Sequence, residues 1–440
     1  MTMEPGGPDA QLRRVIGPGT IALNAMNLSI GSGIFALPAA VAAIVGPAAL
    51  YAYLVCGAAM ALVLLCFAEL GSTTARSGGG YAYLARTFGP FWAFLAGVLL
   101  WFGFGVMSDA AIAAAMADTL ATMVPALAAP VPRATVLIGY FLVIVAVNVR
   151  GAREGARMAV LLTCLKLVPL ALLVVASVPS FTALAVTGGG LPPLEALGKA
   201  SLLLFFAFTG AEASLSTGGE IRNVRRDVPR GIMLGCAGTI LVYLSVHVAA
   251  QSVLGAGLAA EGQTPLAAAA AVVLGPWGRG LLLVGGALSM AATVSGDLLA
   301  TPRALFATAV DGHLPAVLAR VHPRFATPWV AIATYGALTC TVALLGGFAL
   351  LAALASAGLL LVYFAVCLAV LVERRRAKSA GAAGQGFQIP GGPVVPVLGM
   401  VLVAALLASA KAEEWAPLGG LVGVSAGYYL VRHRRGVRSA

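Results

Sequence analysis

Charge is what this sequence has least of. Only 10% of its 440 residues are Asp, Glu, Lys or Arg, against about 25% in an ordinary soluble domain, and a water-soluble chain of this length could not cover its surface with so few. Acids are the scarcer sign, 16 against 27 basic residues. The four histidines are too scattered for a metal cluster. The six cysteines (Cys56, Cys66, Cys164, Cys236, Cys340, Cys367) fall inside apolar runs with no CxxC pair, which suits small buried hydrophobes and neither a zinc site nor a disulfide framework. No GxxxxGK[ST] phosphate loop is present, nor a soluble domain to hold one, so an ATP-driven machine is excluded. An integral-membrane enzyme would need a converging nucleophile and base or a metal set, and none is visible. No cofactor is implied. Met1 to Gln11 lack the charged, apolar and cleavage regions of a signal peptide, so the first apolar run is expected to stay in the mature protein.

What is abundant is apolar length. The chain is 60% hydrophobic with mean hydropathy +0.98, and stretches of about 20 apolar residues, each long enough to cross a bilayer core, recur throughout. They read as twelve spans in an all-α polytopic membrane protein: 16–45, 47–70, 89–120, 131–149, 155–178, 196–220, 231–254, 277–311, 327–348, 350–373, 394–411 and 413–431. The net charge of +11 does not point to nucleic acid, because the basic residues sit in short loops. When alternate loops are given to alternate sides, one side collects all of the basic residues except Arg133, Lys199, Arg279, Lys411 and the mid-span Lys166. The positive-inside rule makes that side cytoplasmic, together with both termini of a multi-pass protein of the inner membrane. Adding or dropping one span would scramble this alternation. A charged, Gly- and Ala-rich linker from Arg374 to Gln388 separates ten spans from a final pair, so residues 1–440 read as one domain with halves 16–178 and 196–373 and a peripheral pair 394–431.

Two spans carry a weak point at mid-depth. Span one contains Gly31-Ser32-Gly33, and span six contains Phe205-Phe-Ala-Phe-Thr-Gly-Ala-Glu212. Glycine weakens a helix where lipid offers no replacement hydrogen bonds, so a break there is tolerated only beside a protein cavity. Spans one and six are five apart, and breaks at corresponding places in two five-helix halves point to an inverted-repeat transporter. Freed N–H groups bind a carboxylate and freed carbonyls hold a cation, and a zwitterionic amino acid presents both. The alternative for Gly31-Ser-Gly33 is a packing notch between helices.

The segment Gly31-Ser-Gly-Ile-Phe-Ala-Leu-Pro38 resembles the first-helix signature of the amino acid–polyamine–organocation (APC) superfamily of permeases. Three further stretches agree in order and spacing: Phe206 to Glu212 running into Gly219-Glu-Ile-Arg-Asn-Val-Arg-Arg-Asp-Val-Pro-Arg230, Thr301-Pro-Arg-Ala-Leu-Phe-Ala with Asp311-Gly-His-Leu-Pro315, and Val321-His-Pro-Arg-Phe-Ala-Thr-Pro328. The resemblance covers nearly the whole chain. It implies a LeuT-type fold of two inverted five-helix repeats, with helices one and six broken, that carries amino acids or related amines by alternating access. It would place the substrate carboxylate against Ser32, Gly33 and Ile34, and the amino group against carbonyls near Ser29, Ile30, Phe206 and Thr209, with Phe206 or Phe208 as an aromatic gate. Relatives that handle arginine carry a tryptophan at the Phe206 position, and a phenylalanine suits an apolar or neutral side chain better.

Four ionisable groups lie well inside spans: Asp109, Lys166, Glu212 and Asp297. Each costs about 2.5–3.5 kcal/mol at a helix centre on insertion scales, so none should face lipid. Lys166 is similar to the span-five lysine of proton-coupled family members, where sodium-coupled relatives bind an ion; the alternative is a stem snorkelling to an interface. Glu212 matches the family's acidic position linked to proton coupling or switching, with a structural acid bonded to neighbouring backbone as the other possibility. Asp109 reads as a further proton-coupling candidate or a helix-packing group, and Asp297 as a substrate contact. The implied partners are an amino acid or amine, protons and the lipid bilayer. Exchange of basic amino acids or polyamines is the second reading, for which Asp109 and Asp297 speak, and a channel is the third. Glu69, Arg76 and the run Glu220 to Arg230 suit gate and loop salt bridges, and His247 a helix-packing donor.

Overall fold

The computed structural model describes residues 12–183, 185, 190–261, 264–346, 348–379, 386–408 and 412–438. Lys411 and much of the expected 374–388 linker lie outside the described residues. Sixteen α-helices are used below: α1 Pro18–Ser29, α2 Gly33–Val45, α3 Ala49–Ser72, α4 Gly80–Phe88, α5 Pro90–Met123, α6 Pro130–Arg150, α7 Ala152–Ser177, α8 Leu194–Phe208, α9 Val224–Leu254, α10 Pro265–Leu274, α11 Pro276–Ala300, α12 Pro302–Val310, α13 Trp329–Leu345, α14 Phe348–Ser379, α15 Val394–Ala408 and α16 Ala412–Arg438. A 3₁₀ segment, Ala211–Glu220, follows α8. The expected span 277–311 divides at Thr301, because Pro302 has no N–H to carry the ladder on.

Among the described residues, six helical stretches are long and apolar enough to cross a membrane: Leu37–Ser72, Pro90–Met123, Pro130–Arg150, Arg153–Ser180, Val224–Ala260 and Pro276–Val310. Shorter apolar helices at Pro265–Leu274, Trp329–Leu345 and Val394–Ala408 join them. The chain is a multi-pass membrane protein. Its helices differ sharply in position: the apolar window of Pro276–Val310 is 72% buried and that of Pro130–Arg150 only 17%. The first is therefore central, and the second turns Leu142 and Val143 outward. Trp92 and Trp277, both exposed, stand two and one residues inside the starts of α5 and α11, where aromatic rings favour a membrane–water boundary.

α1 and α9 touch backbone to backbone. A Cβ added at Gly231, Gly235 or Gly238 would lie 2.6 Å from Ile21 Cβ, 2.7 Å from Ala25 Cβ or 2.7 Å from Met26 Sδ. Small residues on one face thus let two helices approach where no hydrophobic effect between lipid-like surfaces drives them together. α5 departs from α-geometry at Leu99–Val106, where it widens into a π-helix. Gly105 lies in that stretch, with room for no side chain: a Cβ would stand 2.7 Å from Thr301 Cγ2 and 2.9 Å from Tyr335 Oη.

One end of the bundle is stitched shut. The N–H groups of Val15 and Ile16 donate to the Glu220 carbonyl at 2.9 and 3.0 Å, and Arg222 N–H donates to the Ile16 carbonyl at 3.0 Å. The Glu220 side chain accepts from Arg303 Nε at 3.0 Å and Nη2 at 3.1 Å, with both side chains 0% exposed. The sequence places Glu220 in a loop salt bridge; the pair is instead wholly buried, because Arg303, just past Pro302 in the Pro276–Val310 stretch, packs against the end of the 3₁₀ segment. Arg76 pairs with Asp311, which also accepts from Tyr81 Oη at 2.7 Å, and Glu69 accepts from Arg374 Nε at 2.6 Å and Ile389 N–H at 2.8 Å. His247 donates to nothing among the described residues: neither ring nitrogen has a hydrogen-bond partner, and the ring leans on Tyr53, tilted by 37° at a centroid distance of 4.9 Å.

Removing one member of a buried ion pair strands the other, at a cost of about 3–5 kcal/mol, whereas replacing both with apolar groups costs much less. Arg303→Leu and Glu220→Leu should each lower thermal stability strongly, and the double variant should recover part of the loss. Unfolding followed in detergent checks this; single variants as stable as wild type would show that the pair contributes nothing.

Candidate substrate site

A helix that stops inside a membrane leaves up to four carbonyls without partners. α1 stops at Ser29, where Ile30 turns to ψ 72°, and the carbonyls of Asn27, Ser29, Ile30 and Gly31 around the stop each accept from a side chain of another helix. Lys166 Nζ, fully buried on α7, donates to the carbonyls of Asn27 at 2.6 Å and Ile30 at 2.5 Å. Thr293 Oγ1 on α11 donates to the Asn27 carbonyl at 3.0 Å, and Ser289 Oγ to those of Ile30 at 2.9 Å and Gly31 at 3.2 Å. An amine at a helix C-terminus also complements the helix dipole. Lys166 therefore does not snorkel: its head group ends on the break.

The second interruption faces the first. α8 ends at Phe208, and Gly210 takes φ 103°, a left-handed conformation that favours glycine. A Cβ on Gly210 would stand 3.1 Å from the Leu28 carbonyl oxygen, so the two breaks are in contact. The Gly210 N–H donates to Glu212 at 3.1 and 3.3 Å to its two oxygens. That is the neighbouring-backbone contact a structural acid would make. Tyr243 of α9 ties the breaks together: its hydroxyl is shared between the carbonyls of Ser29 at 2.6 Å and Ala207 at 2.7 Å.

Between the breaks lies a cavity. Of the residues expected to meet substrate, Ser29, Ser32, Gly33, Thr209 and Asp297 line it, and Gly31 and Gly210 join them. Ile30 and Ile34 are buried behind it, and Phe208 turns its ring onto Tyr243, edge to face at 4.8 Å, rather than into it. The Phe206 side chain lies outside the described residues. Sequence reasoning missed the opposite wall: Phe104, Ser108 and Ile112 from α5, and Thr293 from α11. It also missed Tyr243, which stands in an ordinary apolar run. The first turn of α2 aims N–H groups at this space, since the leading N–H groups of a helix have no carbonyl of their own; that of Phe35 is taken by the Ser32 carbonyl at 3.1 Å. The geometry suits an anion at the α2 start beside hydroxyls and one carboxyl.

Asp109 is fully buried and not on the cavity. It sits behind Asp297, within hydrogen-bonding range of that carboxyl, and accepts from Tyr335 Oη at 2.8 Å. Asp297 accepts from Thr301 Oγ1 at 3.0 Å. Among the described residues no group of three or more His, Cys, Asp or Glu side chains is placed to hold a metal ion.

Comparison with known proteins identifies the family. Residues 16–411 match the amino acid permease family. The serine/threonine exchanger SteT of Bacillus subtilis is 29% identical over 423 residues, covering 92% of this chain and 94% of that protein. The uncharacterized transporter Rv1999c of Mycobacterium tuberculosis is 34% identical over 343 residues, 76% of this chain and 74% of its own. The branched-chain amino acid permease BcaP of Bacillus subtilis is 25% identical over 420 residues, 91% and 88%. The chain belongs to the amino acid permease family.

The glycines of the first break are not equivalent. A Cβ at Gly33 would meet Ala207 Cβ at 3.0 Å and Leu37 Cδ1 at 3.2 Å, whereas one at Gly31 would make ordinary contact with Thr293 at 3.5 Å. Gly33→Leu should weaken amino-acid binding by tenfold or more, about 1.4 kcal/mol, in a protein that still folds and inserts, and Gly31→Ala should be the milder change. Equilibrium binding of a labelled amino-acid panel measures both. Undiminished affinity in Gly33→Leu would remove the break from the binding site.

Proposed function

We propose that this member of the amino acid permease family is a secondary active transporter that moves an amino acid with an apolar or neutral side chain across the cytoplasmic membrane by alternating access, coupled to protons. The observation that carries the reading is the pair of facing breaks, cross-tied by Tyr243 and enclosing one cavity. A zwitterion fits such a place: its carboxylate goes to the N–H groups at Ser32, Gly33 and Ile34, and its ammonium to carbonyls near Ser29, Ile30, Phe206 and Thr209. Exchange activity, as the name of the Bacillus serine/threonine relative states for that protein, is the same cycle run with substrate on both strokes. The helices are read as twelve spans in a LeuT-type arrangement, α1–α2 and α8 with its 3₁₀ continuation being the broken first and sixth. Both termini lie in the cytoplasm on this reading. The stitched end with Glu220 and Arg303 is then the closed inner gate.

Protons are the proposed coupling ion, with Lys166, Glu212 and Asp109 as the carriers weighed. Support for Lys166 is positional. Its amine sits among carbonyls of α1 and the hydroxyl of Thr293, a place where oxygen ligands would otherwise suit a small cation, and a fixed ammonium repels sodium. One observation favours the second reading, exchange of basic amino acids or polyamines: Asp297 puts a carboxyl on the cavity wall.

Two measurements test this. In proteoliposomes, wild type should accumulate a neutral amino acid under a pH gradient and not under a sodium gradient, and Lys166→Ala, checked for folding, should lose the pH-driven accumulation. Sodium-driven uptake by wild type, or undiminished proton-driven uptake by the variant, would take Lys166 out of the mechanism. For topology, cysteines placed beside Arg226 and Arg376 should react only with reagents admitted to the cytoplasm, and labelling of either from outside intact cells would refute the span count.

A further inference from the structure

Two carboxyl groups buried against each other in a membrane need something between them. Asp109 on α5 and Asp297 on α11 are 0% and 4% exposed and within hydrogen-bonding range of each other. Each has one hydroxyl donor, Tyr335 Oη for Asp109 Oδ2 and Thr301 Oγ1 for Asp297 Oδ1. Asp109 Oδ1 has none among the described residues, although it is buried and could accept. Two ionised carboxylates are both acceptors and cannot bond to one another, so contact between them requires a hydrogen that one of them carries. Like charges at such range cannot both ionise in a low-dielectric site.

Among the described residues no countercharge is in direct contact with the pair. The titratable groups packed around the pair are Tyr335 of α13, Tyr140 of α6, whose hydroxyl is given to the Ala291 carbonyl, and Glu212 of the 3₁₀ segment. The cation nearest in the hydrogen-bond network is Lys166, one turn away on Thr293 and committed to the carbonyls of α1. Asp297 lines the cavity and Asp109 does not. One member can therefore meet water when the cavity opens, and the other never does directly.

We propose that Asp109 and Asp297 form a proton-binding site of the transport cavity, distinct from Lys166, in which a single proton is held between Asp297 and Asp109 Oδ1. This rests on the transporter reading above and adds to it where a coupled proton would reside. Asp297 takes the proton from water in the open cavity and donates it as a hydrogen bond to Asp109. While the cavity is closed the pair keeps it, because losing it would leave two adjacent anions out of water. The proton is released as H⁺ to water once the cavity opens again and hydrates Asp297. Substrate occupancy and proton occupancy are thereby linked through one wall of one cavity.

The test is infrared difference spectroscopy on the reconstituted full-length protein, read at the stretching band of protonated carboxyl groups. Wild type at neutral pH should show such a band. Asp109→Asn and Asp297→Asn should each abolish it, Glu212→Gln should leave it, and Tyr335→Phe, which removes a donor and no carboxyl, should shift it. A band of undiminished strength in both Asn variants, or one that Tyr335→Phe does not move, would overturn the shared proton. The second arm is the pH dependence of amino-acid affinity, which linkage to one proton sets at up to about tenfold per pH unit. That slope should be present in wild type and flat in Asp109→Asn; an unchanged slope in the variant would overturn the link to substrate. A wild type that binds no amino acid would sink the transport reading alone, since the infrared band tests the pair without substrate.

Discussion

The constraint on which the rest of this structure depends is that a hydrocarbon solvent cannot satisfy a backbone carbonyl. Stopping α1 at Ser29 in the middle of the bundle releases several at once, and the packing of three other helices follows from where their partners come from. α7 must approach closely enough for Lys166 to reach Asn27 and Ile30. α11 must present Ser289 and Thr293, one turn apart, on the same face. α9 must bring Tyr243 between Ser29 and Ala207, and its glycines at 231, 235 and 238 are what let it come so near. On the proposed reading the substrate site is a by-product of the repair, since the carbonyls and N–H groups gathered at the breaks are the groups a zwitterion would use.

Polar side chains inside the bundle accordingly sort by distance from the breaks. Lys166, Ser289, Thr293 and Tyr243 touch released carbonyls directly, and Glu212 accepts the Gly210 N–H of the second break. Asp297 borders the space between the breaks, with Asp109 behind it. At the stitched end, Glu220 serves two ladders: its carbonyl holds the strand-like segment before α1, and its carboxylate holds Arg303. Movement of α1 away from that end has to break backbone hydrogen bonds on the same residue whose side chain anchors α12.

The amino-acid sequence by itself determined that the chain is a polytopic membrane protein, because low charge and recurring apolar length depend on no folding detail. It also determined where two helices would break, since Gly31-Ser32-Gly33 and Thr209-Gly210 are weak points whatever surrounds them, and it singled out all four ionisable residues at depth. What only the tertiary structure decided is which groups meet. Ser108 and Phe104 reach the cavity from a helix that widens into π-geometry at Leu99–Val106, and the wider turn rotates the face that follows it in a way the sequence pattern does not announce. Tyr243 looks like any aromatic residue in an apolar run until its hydroxyl is seen between two carbonyls, and the direction of the Phe208 ring is settled only by its packing on Tyr243. Glu220 and Arg303 stand far apart in the chain within separate motifs, and only the packing of the Pro276–Val310 stretch against the 3₁₀ segment makes them one buried pair. The physical reason is common to all of these: local periodicity and composition govern whether a helix forms and where it yields, whereas the facing of a side chain depends on the rotation and approach of helices distant in sequence.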